Sequence, residues 1–409
     1  MEPVEPVPSG GILLTRPLLF LLSLACGVAV ANIYFPQAIS PLIASGLGVG
    51  KSSAALVTTC SQVGYAAGIF LLVPLGDRLR HRRLVPTLLL LTAGALALAG
   101  AATALPLLAA ASVLIGLTTV VPQILIPMAA GLAEPERRGE VTGTLLSGLI
   151  GGILLARTFS GVLGAWLGWR APYLIAAAVA LALSAATAAF LPPTAPSTGE
   201  RYPALLATSV RLFRSEPLLR RSCGYQVLAF AGFSAAWTAI ALHVTGPRYH
   251  LGTPAVGILA LVGAGSMVAT RRAGRVADRL GPDVVNRRAM VGVLAAAAVL
   301  LIGTAGGVVG LIGLGVGMLG LDVAVQSGQV ANQARIFALR PEMRARLNTA
   351  YMTCAFLGGS AGSWLGVRAY SAFGWNGVCG AVAVLGAVAL AAIALPSAAG
   401  GPARLRRTS

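Results

Sequence analysis

An aspartate sits where hydrocarbon is expected. Asp322 is the only acid deep inside a long apolar segment, and Gln326, Gln329 and Gln333 follow it at intervals of four, three and four. On a helix that spacing draws one polar stripe along an otherwise apolar surface. A stripe of this kind facing lipid is untenable, so it is expected to face a cavity or another helix. A lone carboxylate held there can load a proton from one side and release it to the other. Arg157 is the second ionisable residue inside a segment. It requires a partner, whether Asp322, an anionic substrate, or carbonyls and water. At 1.5 Å of rise per residue, the two side chains differ in depth by roughly 8–10 Å, a gap for long side chains, helix tilt or a water to cover.

Other polar residues inside apolar segments are Asn32, Gln37, Gln62, Tyr65, Gln123, Gln226, Trp237 and His243. Gln123 echoes Gln329 at an offset of 206, whereas the same offset from Asp322 lands on Gly116. Trp237 could stack on an aromatic or cationic substrate, with apolar packing the plainer use. His243 lies near the end of its segment and reads as interfacial. No catalytic residue, metal set or cofactor motif is found. The single lysine, Lys51, has no phosphate-binding glycine loop ahead of it, so neither ATP hydrolysis nor a membrane enzyme is supported.

A third set of charges lies between the apolar segments. VPLGDRLRHRR, Val73 to Arg83, closes one segment on Asp77 and Arg78. GRVADRLG repeats the design with Gly274, Asp278, Arg279 and Gly281, and the two aspartates are 201 positions apart. Pro135-Glu136 recurs as Pro341-Glu342, and Gly168-Trp169 as Gly374-Trp375, both at 206. The same landmarks in the same order mean a duplicated architecture. An acid at such a helix end can pair with arginines or with a neighbouring helix N-terminus. If that contact forms only when this side is shut, the turns act as gates.

The elements that must position these residues follow from composition. The 409 residues are 56% hydrophobic and 10% charged, with mean hydropathy +0.83, against roughly 25% charged in soluble domains. Stretches long enough for about 30 Å of hydrocarbon run near 17–42, 53–75, 84–104, 107–132, 140–166 and 171–191, then 222–245, 255–277, 289–306, 308–333, 347–370 and 375–395. Backbone amides in hydrocarbon need internal partners, so the spans must be helices. The expected fold is an all-α membrane protein with twelve transmembrane helices in two pseudo-symmetric six-helix halves. Residues 1–16 read as a disordered tail, 17–191 as the first half, 192–221 as a cytoplasmic linker, 222–395 as the second half and 396–409 as a cytoplasmic tail. Ala29-Val30-Ala31 resembles a signal-peptide cleavage site, but the apolar stretch runs past it and many more follow.

Of the 30 basic residues, 25 fall on one side if both termini are cytoplasmic, four fall on the other, and Arg157 lies within a span. That asymmetry places both termini in the cytoplasm, with the spans crossing the cytoplasmic membrane. The net charge of +18 alternates with apolar runs and has no interleaved aromatic patch, which argues against nucleic acid. Five cysteines lie singly in apolar runs and read as packing residues. Glycines such as Gly148, Gly151, Gly152, Gly161, Gly358, Gly359 and Gly362 read as close-packing seams.

The doubled twelve-span pattern with basic Asp turns resembles the major facilitator superfamily, over nearly the whole chain. Gly274, Val276, Ala277, Asp278, Arg279 and Gly281 fit that family's turn well. Leu75, Asp77, Arg78 and Arg82 fit it in the first half, where Val73 and Arg80 replace glycines. Asn32-Ile33-Tyr34, Gly168-Trp169-Arg170, Leu321-Asp322, Asn332 to Ile336 and Arg346 to Tyr351 resemble a bacterial subgroup classed with drug:proton antiporters. Where the antiporters keep a Gly-Pro motif on span five, this chain has Ala156-Arg157-Thr158-Phe159. The resemblance implies alternating access around a midway site. The expected function is secondary transport of a small molecule, outward and proton-coupled, by a monomer in the lipid bilayer. A proton-independent facilitator or uptake carrier is the alternative within transport, and a non-transporting sensor or scaffold the alternative from another class.

Overall fold

The computed structural model describes residues 14–194, 198–266, 279, 281–340 and 343–394, which are helical nearly throughout and contain no strand. Span 1 is a bent pair, Arg16–Ala31 and Phe35–Leu47, meeting at 42°. Spans 2 to 7 are Lys51–Asp77, His81–Gly100, Leu105–Leu132, Arg138–Leu167, Ala171–Phe190 and Pro217–Val244. Span 8 is described over Thr253–Val262, and spans 9 and 10 are Pro282–Ala305 and Gly307–Leu339. The long run Arg344–Ala394 turns over at Gly374 (φ 61°, ψ −151°), so it holds spans 11 and 12. The twelve-span, two-half frame read from the sequence is the frame observed. Several spans outrun their apolar cores, as where span 3 starts at His81 and span 10 ends at Leu339. Helical hydrogen bonding carries on past the hydrocarbon into the arginine-bearing turns.

The duplication survives in backbone detail. Gly168 (φ 86°) and Gly374 (φ 61°) both take the left-handed conformation that suits glycine, and each is followed by a buried tryptophan, Trp169 or Trp375. Span 7 is buried almost from end to end. Spans 3, 6, 9 and 12 keep an apolar face outward, with Leu90, Leu181, Val291 and Val388 all exposed.

Two prolines shape the middle of the first half. Pro36 has no N–H to reach the carbonyl of Asn32, and Pro122 none to reach that of Thr118. Helix accordingly breaks at 32–34 in span 1 and near Thr119 in span 4. The two breaks face each other. Thr119 Oγ1 donates to the Ala29 carbonyl at 2.5 Å and accepts from Asn32 Nδ2 at 3.5 Å.

The halves meet along two seams. Spans 2 and 11 lie side by side through Ser52–Ser371 (2.7 Å), Thr59–Ser363 (3.0 Å) and the Tyr65–Phe356 ring pair (centroids 4.5 Å), ending at Asp77–Arg346. Spans 5 and 8 meet where Thr158 Oγ1 donates to Gly257 O (2.9 Å) and Thr253 Oγ1 to Gly161 O (2.8 Å). The polar joint contains an amphipathic helix, Tyr202–Ser215, with Leu205 and Leu212 buried. Tyr202 Oη ties it to span 2 by donating to the Leu71 carbonyl at 2.7 Å. The N-terminal residues 1–13, residues 395–409, and Gly274 and Asp278 of the second Asp turn lie outside the described residues.

Candidate functional site

Arg157 on span 5 is buried at mid-molecule, and three side chains hold it. Nε donates to Gln37 Oε1 at 2.7 Å, and the guanidinium lies over the Trp237 ring (4.0 Å) and the Tyr34 ring (4.8 Å). Cation–π contact of this kind strengthens when both partners are out of water. Trp237 is itself fully buried on span 7, and its Nε1 donates to Asp322 Oδ1 at 3.0 Å.

Charge from one half and charge from the other thus meet across a single indole. Its face carries the arginine and its edge carries the aspartate. No direct Arg157–Asp322 ion pair forms among the described residues. The indole covers the gap in depth read from the sequence. The other carboxylate oxygen packs against Gly263, where a Cβ would stand only 2.4 Å from it. Arg157 Nη2 and Gln37 Nε2 are buried donors without an acceptor among the described residues. Gln37 Oε1 is committed to Arg157, which fixes the amide orientation and leaves its NH2 free. The centre can therefore offer two donors to a carboxylate, carbonyl or similar acceptor.

Below this centre the stripe on span 10 spreads onto spans 7 and 11. Gln329 Oε1 accepts from Gln226 Nε2 (3.3 Å), and Gln226 Oε1 accepts from Tyr351 Oη (2.9 Å). Gln333 Nε2 donates to Asn348 Oδ1 (3.4 Å), and Asn348 Nδ2 to Gln123 Oε1 (3.5 Å). Gln123 Nε2 in turn donates to Tyr65 Oη (3.4 Å). Gln326 is half-buried on the same helix. On span 2, Gln62 Nε2 donates to Ser234 Oγ of span 7 at 3.3 Å. The stripe therefore faces protein, and two of these hydrogen bonds, Asn348–Gln123 and Gln62–Ser234, cross between the halves.

The residues of the two Asp turns lie apart. Asp77 accepts from Arg346 of span 11, and its backbone carbonyl accepts from the Thr198 amide at 3.2 Å. Arg78 and Arg279 are exposed, and Gly281 is left-handed at φ 84°. His243 is buried and stacks on Trp375 (centroids 4.7 Å, 9° between planes), with Nε2 3.1 Å from Gly303 O. It is a packing element of the second half, deeper than its place near the span end suggests.

Sequence reasoning did not single out Tyr34, Ser234, Asn348 or Tyr351 as site residues. Tyr34, Asn348 and Tyr351 lie within the Asn32–Tyr34 and Arg346–Tyr351 runs, which were a usable signal. Ser234 sits among alanines and had none. The described residues contain no cluster of His, Cys, Asp or Glu able to hold a metal ion.

Residues 19–363 match the family model of the Major Facilitator Superfamily. The chain is 36% identical over 377 residues to an uncharacterized transporter, YgaY, of Escherichia coli O157:H7, covering 92% of this chain and 95% of that one. It is 29% identical over 272 residues to a chloramphenicol resistance protein of Streptomyces lividans, covering 65% and 68%. Among solved structures, the nucleoside transporter NupG shares the fold with a TM-score of 0.70 at 15% identity, over 91% of this chain and 99% of that one.

Proposed function

The chain belongs to the Major Facilitator Superfamily, and from that premise we propose that this membrane transporter exports a small molecule across the cytoplasmic membrane in exchange for protons. The observation that carries the reading is the buried Arg157–Trp237–Asp322 assembly, which joins the two halves at mid-depth. Asp322 is the proton carrier. Ionised, it holds Trp237 by a charge-assisted hydrogen bond and draws Arg157 toward the second half. In that state Arg157 Nη2 and Gln37 Nε2 stay open to an acceptor on the substrate; protonated, Asp322 lets the indole and the guanidinium go, and the substrate loses that seat. Substrate and proton then compete through one aromatic side chain, which is what antiport requires.

The Asp77–Arg346 pair closes the arginine-rich side and opens once per cycle. That side is the cytoplasmic one on this reading, supported by the distribution of basic residues. Outward direction is supported by the similarity to a chloramphenicol resistance protein, and chloramphenicol is the first cargo to test.

The test is flux in proteoliposomes under an imposed pH gradient. The parent protein should accumulate cargo against its concentration gradient. Asp322→Asn, which keeps an acceptor for the indole N–H but carries no proton, should bind and exchange cargo without accumulating it. Accumulation by Asp322→Asn at the parent rate ends the proton-carrier role. Equal parent flux with and without the gradient makes the protein a facilitator.

A further inference from the structure

An apolar groove of about 430 Å³ opens on the outer surface between spans 1, 5 and 6. Phe20 and Leu155 at its rim are exposed, and Ile175 and Val179 flank it from span 6. These residues face the hydrocarbon of the bilayer, so whatever enters the groove comes from there. Small residues create the space. Gly27 and Gly152 let spans 1 and 5 touch backbone to backbone, since a Cβ on Gly152 would stand 2.1 Å from the Gly27 carbonyl. Gly151, one position away, lines the groove and has no heavy atom within 4 Å of where its Cβ would stand.

The inner end of the groove is polar. Asn32 lines it, is 1% exposed, and its Oδ1 has no partner among the described residues. The amide orientation is fixed by chemistry. Thr119 Oγ1 spends its hydrogen on the Ala29 carbonyl, so it can only accept from Asn32 Nδ2. The free atom is therefore an acceptor, and an unmet buried acceptor is costly. A lipid acyl chain could fill the groove but offers that oxygen nothing. Asn32 also belongs to the corner whose next residues, Tyr34 and Gln37, hold Arg157. The corner is a partition with the groove on one side and the charged centre on the other.

We propose that this groove is a lateral doorway, admitting from the bilayer an apolar small molecule that carries a hydrogen-bond donor and seating that donor on Asn32 Oδ1. This rests on the reading that the chain exports a small molecule, and it specifies the class: membrane-dissolved and donor-bearing.

The test uses the full chain in phosphatidylcholine vesicles, photolabelled with a (trifluoromethyl)phenyldiazirine that bears a hydroxymethyl group and, separately, with its methyl ether. The alcohol should place saturable adducts on Leu155, Phe159 and Ile175. The ether, which has no donor, should label them about fivefold less, the worth of one hydrogen bond. Gly151→Leu puts a side chain into the groove from a position where a Cβ meets no heavy atom within 4 Å and should remove those adducts, while Asn32→Leu should bring the alcohol down to the level of the ether. Equal, unsaturable labelling by alcohol and ether would hand the groove to lipid tails and overturn the doorway. So would alcohol adducts that survive Gly151→Leu. The alcohol–ether comparison is read on the parent protein, so it stands even if Asn32→Leu does not fold. No pH gradient is applied, so labelling and proton coupling fail independently.

Discussion

Two charge pairs cross between the halves, and they are built on different physics. Asp77 and Arg346 meet at the arginine-rich face, where both remain partly exposed. Water and counterions there reduce an ion pair to about 1 kcal/mol or less. Arg157 and Asp322 meet in the dry middle through Trp237, without touching. In that setting an uncompensated charge is expensive, and the indole supplies a π-face to one and an N–H to the other. The first pair is cheap to break and suits a latch opened every cycle. The second is costly to disturb and suits a group that should change state only when a proton or a substrate replaces what is lost.

The widest separation between the two should come from neutralising the acids. Asp322→Asn is expected to lower gradient-driven accumulation by about 100-fold, because no other acid lies deep in a span, while cargo exchange continues. Asp77→Asn should lose no more than about fivefold. Equal losses in the two variants would erase the distinction.

Trp237→Phe tests the bridge itself. It keeps an aromatic face for Arg157 and deletes the N–H that Asp322 accepts. Losing one hydrogen bond to a charged group predicts about a tenfold or greater drop in coupled flux, smaller than for Asp322→Asn. A parent-like Trp237→Phe would mean that the indole only packs.

At the latch, Asp77→Asn and Arg346→Gln should each change turnover by about two- to fivefold. The double variant should be no slower than either single one, since both remove the same contact. Additive losses would separate the two residues. The smallest effect is ionic. Raising salt from about 0.1 M to 1 M shortens the screening length from about 10 Å to 3 Å, so parent and Asp77→Asn rates should converge within about twofold. The Asp322→Asn defect should be unchanged by the same salt.

The frame was legible because hydrocarbon imposes a long apolar period that few other solvents demand, and because Asp77/Asp278 and Gly168/Gly374 mark the repeat. Asp322 and Arg157 were legible for the same reason, as charges where charges are costly. Their relation was not. Span lengths give depth but not rotation, so nothing in the sequence could turn Trp237 edge-on to Asp322 and face-on to Arg157. What Asn32 offers was hidden differently. Its free acceptor depends on a threonine 87 positions away, brought opposite by two proline-induced breaks that look like ordinary interruptions in the sequence. The helix within the polar joint was missed because its Pro, Ser and Arg content masks a short buried stripe of Leu205 and Leu212.

The duplication has a limit set by one small residue. The position matching Asp322 in the first half is Gly116, and a Cβ there would stand 2.1 Å from the Ser61 carbonyl of span 2. No side chain, charged or neutral, fits at that point unless the neighbouring helix moves. The gene can mirror its scaffold but not its carboxylate. The wall of the opposite half therefore bars a mirror copy of this acid, and engineering one at that position would require rebuilding a helix contact before touching the chemistry.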